Sequence, residues 1–152
     1  MSVLQDNNLK LIIAVLVMGV IGGSLVGPIL PAMLSPLDTS EESVGLVLSV
    51  YTFFALVSTP LLGPLADRFG RKTVLVPCTV LFGIAGVMIA FSNLFWLVLA
   101  LRALQGIGVG GMMNTGVTLI GDLFSGERRA QAMGYRISFQ TVTNSFLPFV
   151  SG

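Results

Sequence analysis

Residues 43–91 read SVGLVLSVYTFFALVSTPLLGPLADRFGRKTVLVPCTVLFGIAGVMIAF: two apolar runs, about Ser43 to Leu65 and Thr73 to Phe91, joined by one short charged turn. A helix needs roughly 20 predominantly apolar residues to cross the hydrocarbon core of a bilayer, and each run is about that long. In hydrocarbon every backbone N–H and C=O must be satisfied within its own segment, which selects helices. Barrel strands would be about half as long and would alternate in polarity. The stretch therefore reads as a membrane-spanning helical hairpin, and the expected fold class is all-α integral membrane.

Outward from this hairpin, further apolar runs fall at about Leu9 to Leu34, Leu94 to Ile120 and Ala132 to Gly152, so that about five spans account for most of the 152 residues. Hydrophobic residues make up 54% of the chain and charged residues only 10%, with a mean hydropathy of +0.92. The first run is long, ends at Pro31 without a small-x-small cleavage site and is followed by more spans, so it reads as a retained helix and not as a secretory signal. A net charge of +1 without a basic run gives no footprint for nucleic acid. The chain has no histidine and one cysteine, Cys78, so neither a disulfide framework nor a clustered metal site is expected. No Cys/His or Ser/His pair can form, and no enzyme activity or cofactor is expected.

Lysine and arginine favour the cytoplasmic side of short membrane loops. Lys10 precedes the first span; Arg68, Arg71 and Lys72 lie between the second and third; Arg128, Arg129 and Arg136 surround the junction of the fourth and fifth. The other two loops carry no basic residue, and one of them holds Asp38, Glu41 and Glu42. The N-terminus is therefore expected in the cytoplasm and Gly152 near the outer face, with the cell membrane as the expected location.

Gly19, Gly23 and Gly27 recur every four residues and form a strip that permits close helix approach. Pro28 and Pro31 are expected to bend or end the first helix, because each removes a backbone donor. Gly106, Gly108 and Gly111 spell the dinucleotide pattern Gly-x-Gly-x-x-Gly, but that pattern needs a strand before it and a helix after it. Here it lies inside one apolar span, so the glycines read as packing contacts, with Gly106 and Gly110 in small-xxx-small spacing.

The turn in the opening stretch, Gly63-Pro64-Leu65-Ala66-Asp67-Arg68-Phe69-Gly70-Arg71-Lys72, resembles the signature loop of the major facilitator superfamily of secondary transporters, Gly-x-x-x-Asp-Arg-x-Gly-Arg-Lys, at every defining position. Physically, Gly63 lets a neighbouring helix approach, Gly70 allows a sharp reversal, and Asp67 with Arg71 can form ion pairs that bias two conformations. A solvated turn obeying the charge rule would explain Arg68, Arg71 and Lys72 but not an acid framed by two glycines. Arg102-Ala103-Leu104-Gln105-Gly106-Ile107-Gly108 is similar to the family's Arg-x-x-Gln-Gly-x-Gly motif, and the resemblance implies proton coupling for Arg102, Gln105 and Gly106. A charge at membrane depth costs about 2.5 kcal/mol or more, so Arg102 is expected either to face a cavity or partner or to snorkel to the near surface. The resemblance also implies that Asp122 joins Asp67 and Arg71 in a charge relay, against the plainer reading of Asp122 as an interfacial acid.

The Pro28-x-x-Pro31 ending resembles the drug:proton antiporter branch, whereas the fifth span keeps Gly134, Pro148 and Gly152 of that branch's signature but has Thr143, Leu147 and Ser151 where the signature has glycine. The resemblance covers the whole chain, yet the family has twelve spans in two six-helix halves, with the substrate site between them. The chain is thus expected to be an incomplete N-terminal half, needing the remaining helices of a longer chain or additional copies. The implied function is proton-coupled efflux of small amphipathic compounds by alternating access, with lipid, substrate and protons as partners. Uptake or facilitated diffusion of a small polar solute, and a non-transporting scaffold, stay open. Asn114, Gln140 and Asn144 are candidate cavity liners or interhelical hydrogen-bond partners.

Overall fold

The computed structural model describes residues 6–24, 41–92 and 94–151. Among these it contains five helices and no strand: α1 (Asn7–Ser24), α2 (Glu41–Phe69), α3 (Arg71–Ala90), α4 (Phe95–Leu123) and α5 (Gly126–Ser151). The all-α reading holds. The expected bend at Pro28 and Pro31, and Gly27, Asp38 and Gly152, lie outside the described residues.

The helices are longer than the apolar runs at their charged ends. α2 continues past Leu65 to Phe69, because Ala66 is buried in the core at 1% exposure and the helix gains by keeping its register. Asp67 and Arg68 therefore sit on the last turn of a helix, and Arg71 opens the next one. The only non-helical residue between α2 and α3 is Gly70, at φ 95°. That conformation suits glycine, which has no Cβ to clash. Likewise α5 starts at Gly126 rather than near Ala132, so Glu127, Arg128 and Arg129 belong to its first turns. Glu127 there complements the positive end of the helix dipole.

Three segments, Gly45–Phe69, Arg71–Ala90 and Phe95–Leu123, are long and apolar enough to cross a membrane by length and composition. The described part of α1 is apolar but shorter, and α5 carries Glu127, Arg128, Arg129 and Arg136 along its first half. Leu56, Leu61, Val76, Val87, Phe91 and Trp96 are all more than half exposed, the inverse of a water-soluble surface and the expected finish of helices that face lipid. Trp96 stands at the start of α4, where an amphipathic ring suits the membrane–water interface.

α4 is the axis of the bundle and packs on α1, α2, α3 and α5. Its glycines divide between two partners. A methyl group at Gly106 would collide with the Tyr51 carbonyl, and one at Gly110 with Ser58, both on α2. Methyls at Gly108 and Gly111 would strike Cys78 and Phe82, or Cys78 and Leu62. Absent side chains thus let two neighbouring helices reach the α4 backbone, the close approach that small residues provide where lipid is as apolar as leucine. From α1, Gly19 faces Val109 and Met113 of α4, Gly22 faces the Phe82 ring, and Gly23 faces Tyr51.

Candidate functional site

Arg71 lies at the first residue of α3 and reaches two acids on other helices. Its Nη1 is 3.0 Å from Asp67 Oδ1, and its Nε donates to Asp122 Oδ2. Asp67 and Asp122 occupy the last turns of α2 and α4. Each of the three charges sits at the unfavourable end of its own helix dipole: acids at negative C-termini, a cation at a positive N-terminus. What compensates them is one another. One guanidinium thereby ties together the same-side ends of three helices, at the end of the bundle where the basic residues collect. The side chains of Asp67 and Asp122 are 64% and 54% exposed, so the lock is screened and easily opened.

The remaining residues of the signature turn stand apart from this lock. Arg68 extends over the Phe69 ring, 5.5 Å from its centroid. Lys72 stands with Asn8 at one end of an apolar groove of about 340 Å³ between α1, α3 and α4. Gly63 faces α4, and its bare Cα leaves room for the amide of Asn114.

The second constellation lies on α4 at the other end. Arg102 is the eighth residue of the helix, about 10 Å along its axis at 1.5 Å per residue. It does not snorkel: the residue is only 5% exposed. Its Nη1 donates to Gln105 Oε1 at 2.6 Å, and its guanidinium carbon lies 5.9 Å from the centre of the Tyr51 ring on α2. Nε has no hydrogen-bond partner among the described residues, and no described acid pairs with Arg102. Gln105 is 3% exposed and turns its amide towards Gly86 of α3. Gly106 sits against the backbone of α2 at Tyr51.

Between the two constellations, Asn114 Nδ2 donates to the Thr59 carbonyl at 3.3 Å, joining α4 to α2 beside Pro60. A proline interrupts the helical hydrogen-bond ladder, so this bond secures α2 where it is weakest. Gln140 is half-buried on α5, whereas Asn144 is exposed. Reading the sequence alone misses Tyr51 and Thr59. An aromatic and a threonine inside an apolar run carry no signal of their own, and only the packing of α2 on α4 selects them.

Along the α2–α4 seam runs a second groove of about 300 Å³, lined by Thr52, Ala55, Leu56, Thr59, Val109, Gly110 and Met113. Both threonine hydroxyls are spent on carbonyls of their own helix, Thr52 on Leu48 and Thr59 on Ala55. The groove therefore presents an almost wholly apolar wall.

Comparison with known proteins agrees with this architecture. The family model described as Major Facilitator Superfamily matches residues 12–152. A bacillibactin exporter of Bacillus subtilis is 38% identical over 119 residues, covering 75% of this chain and 30% of its own length. A quinolone resistance protein of Staphylococcus aureus is 30% identical over 116 residues, covering 76% of this chain and 30% of its own. A class B tetracycline resistance protein of Escherichia coli is 27% identical over 134 residues, 86% of this chain and 33% of that protein. The chain spans about a third of the length of these relatives. An apolar all-α bundle with a charged helix-end lock, a buried arginine on its central helix and exporters and drug-resistance proteins among its relatives: the chain belongs to the Major Facilitator Superfamily.

Proposed function

We propose that this chain works as the N-terminal part of a secondary active transporter that exports small amphipathic compounds by alternating access, driven by proton entry. All five helices cross the membrane in this reading, with the basic end of the bundle and the N-terminus in the cytoplasm of a cell bounded by that membrane. The observation that carries the reading is the Arg71 lock, which joins the ends of α2, α3 and α4 through charges that are unfavourable unless paired. Such a contact biases one of two rigid-body arrangements, as alternating access requires. Asp67, Arg68, Gly70, Arg71, Lys72, Gly63 and Asp122 form the switch. Arg102, Gln105 and Gly106 form the coupling centre on the opposite half of α4. The names of the relatives support export as the direction, and the apolar α2–α4 groove supports amphipathic cargo.

No carboxylate lies beside Arg102 among the described residues, so the proton carrier belongs to another part of the transporter. In this reading Asn114 is a strut beside Pro60, and Gln140 and Asn144 of α5 meet cargo or a neighbouring helix. The test is gradient-driven efflux by the protein made from its native gene, in everted vesicles, with Asp67→Asn and Arg71→Ala beside the wild type. Both variants should insert normally and lose most of their transport. Wild-type rates in both would sink the switch. The departures of the fifth span from the antiporter pattern, Thr143 among them, favour a second reading as a uniporter or symporter of a polar solute. Movement that continues undiminished after the proton gradient is collapsed would select it.

A further inference from the structure

The Arg102 centre contains a contact that neither the charge pattern nor the motif around it names. A guanidinium buried to this depth needs its charge spread, and one hydrogen bond to Gln105 serves a single one of its donors. The other large group against it is the ring of Tyr51, whose negative face attracts a cation within about 6 Å. Tyr51 is held in place from two sides. Its carbonyl fills the space left by Gly106, one helical turn along from Arg102, and its hydroxyl fills the space left by Gly23 on α1, where a methyl would come within 3.2 Å. The same side chain thus touches α1 with its tip and the cation of α4 with its face, from a backbone seated on α4.

We propose that Tyr51 is the positioning residue of the Arg102 centre, its ring holding the guanidinium inside the bundle while its hydroxyl tip lies against α1 at Gly23. If Tyr51 only filled space, an aliphatic side chain such as leucine would serve nearly as well; the aromatic face is what the guanidinium needs. The coupling role of Tyr51 rests on the reading of Arg102 as the coupling residue, while the contact itself does not.

The experiment separates the two. In the purified native-gene protein, Tyr51→Leu should lower the melting temperature when Arg102 is present but have little effect in the Arg102→Met background, and Tyr51→Phe should stay near wild type in both. Equal losses in the two backgrounds would overturn the contact. Gly23→Ala should lower the midpoint as well, and Tyr51→Phe, which removes the hydroxyl, should restore it; no rescue would overturn the α1 link. For coupling, the probe is ethidium in proteoliposomes, followed by dye quenching for gradient-driven movement and by anisotropy for binding. Tyr51→Leu should bind ethidium within about twofold of wild type and lose tenfold or more of its driven movement, as Arg102→Ala does, with Tyr51→Phe retaining both. Parallel loss of binding and drive in Tyr51→Leu, or drive equal to that of Tyr51→Phe, overturns the positioning role. Wild-type drive in Arg102→Ala sinks the coupling reading instead, and the melting cycle then decides the contact alone, as it does if wild type does not carry ethidium.

Discussion

The two ends of α4 handle charge in opposite ways. At Asp122 the helix meets a complete set of partners: one cation, two acids, all at least partly wetted and each offsetting the others. At Arg102, roughly 30 Å away along the same helix by its rise per residue, a cation with no acid beside it among the described residues is sealed among a glutamine, an aromatic face and glycine-lined backbone. The first arrangement is cheap to open, because solvent and salt compete for every member of it. The second cannot relax towards water without moving a helix. One end holds its charges in wetted contacts that solvent can exchange, and the other holds a charge whose surroundings are set by the packing of the bundle.

This contrast can be broken most severely by filling the packing beside the buried charge. Gly106→Val should prevent folded protein from accumulating in the membrane, because its side chain meets the α2 backbone, which cannot step aside. Gly121→Ala, at the wetted end, should accumulate normally, since the neighbour 3.1 Å from its new methyl is the mobile guanidinium of Arg129. Yields of membrane-inserted protein check both, and equal yields would mean that the two ends are equally compliant.

Next in size, Arg102→Met should leave thermal stability unchanged or higher, since replacing a buried unpaired ion by an apolar group of similar volume removes a desolvation penalty of about 2.5 kcal/mol or more. Gradient-driven transport should meanwhile fall more than tenfold. A protein destabilised in step with its transport loss would show that Arg102 holds the fold together instead.

The Arg71 lock should respond more gently. Losing one partly exposed ion pair shifts a two-state balance by about 1 kcal/mol, roughly fivefold, so Asp122→Asn is expected to cost a few-fold in transport. Raising the salt to 1 M should move wild type towards that variant, and should leave the Arg102→Met phenotype where it was. Transport rates of the two variants across ionic strength check this, and equal salt sensitivity would erase the distinction. The smallest effect belongs to Asn114→Ala, which removes one hydrogen bond beside Pro60 and should lower stability by about 1 kcal/mol, read as a small drop in melting temperature.

The all-α membrane fold is legible from apolar run length alone, because hydrocarbon leaves a polypeptide so few ways to satisfy its backbone. The helix ends are less so. Asp67 and Arg71 read as members of a charged turn, yet the structure places them on helices with Gly70 alone between, since hydropathy falls at the first charged residue while the helix continues through it. The depth of Arg102 is likewise undecided by its position eight residues into α4: a long side chain at that height can reach the surface or stay inside. The choice is made by Gln105 and by Tyr51, and the latter belongs to a different helix fifty-one residues earlier in the chain. Contacts between helices depend on rotation about each axis, which the order of residues along one span does not state.

Gly70 is a single-residue joint between helices of 29 and 20 residues. A connection that short has no slack to absorb relative sliding, so displacement of α2 along its axis must be handed to α3 within the length of one peptide unit. Any rotation of one helix about this joint would be passed directly to the other, and helices of that length would turn a small angle at Gly70 into a larger displacement at their far ends. A longer linker, such as an inserted Gly-Ser pair after Gly70, would decouple the two while leaving every helix intact.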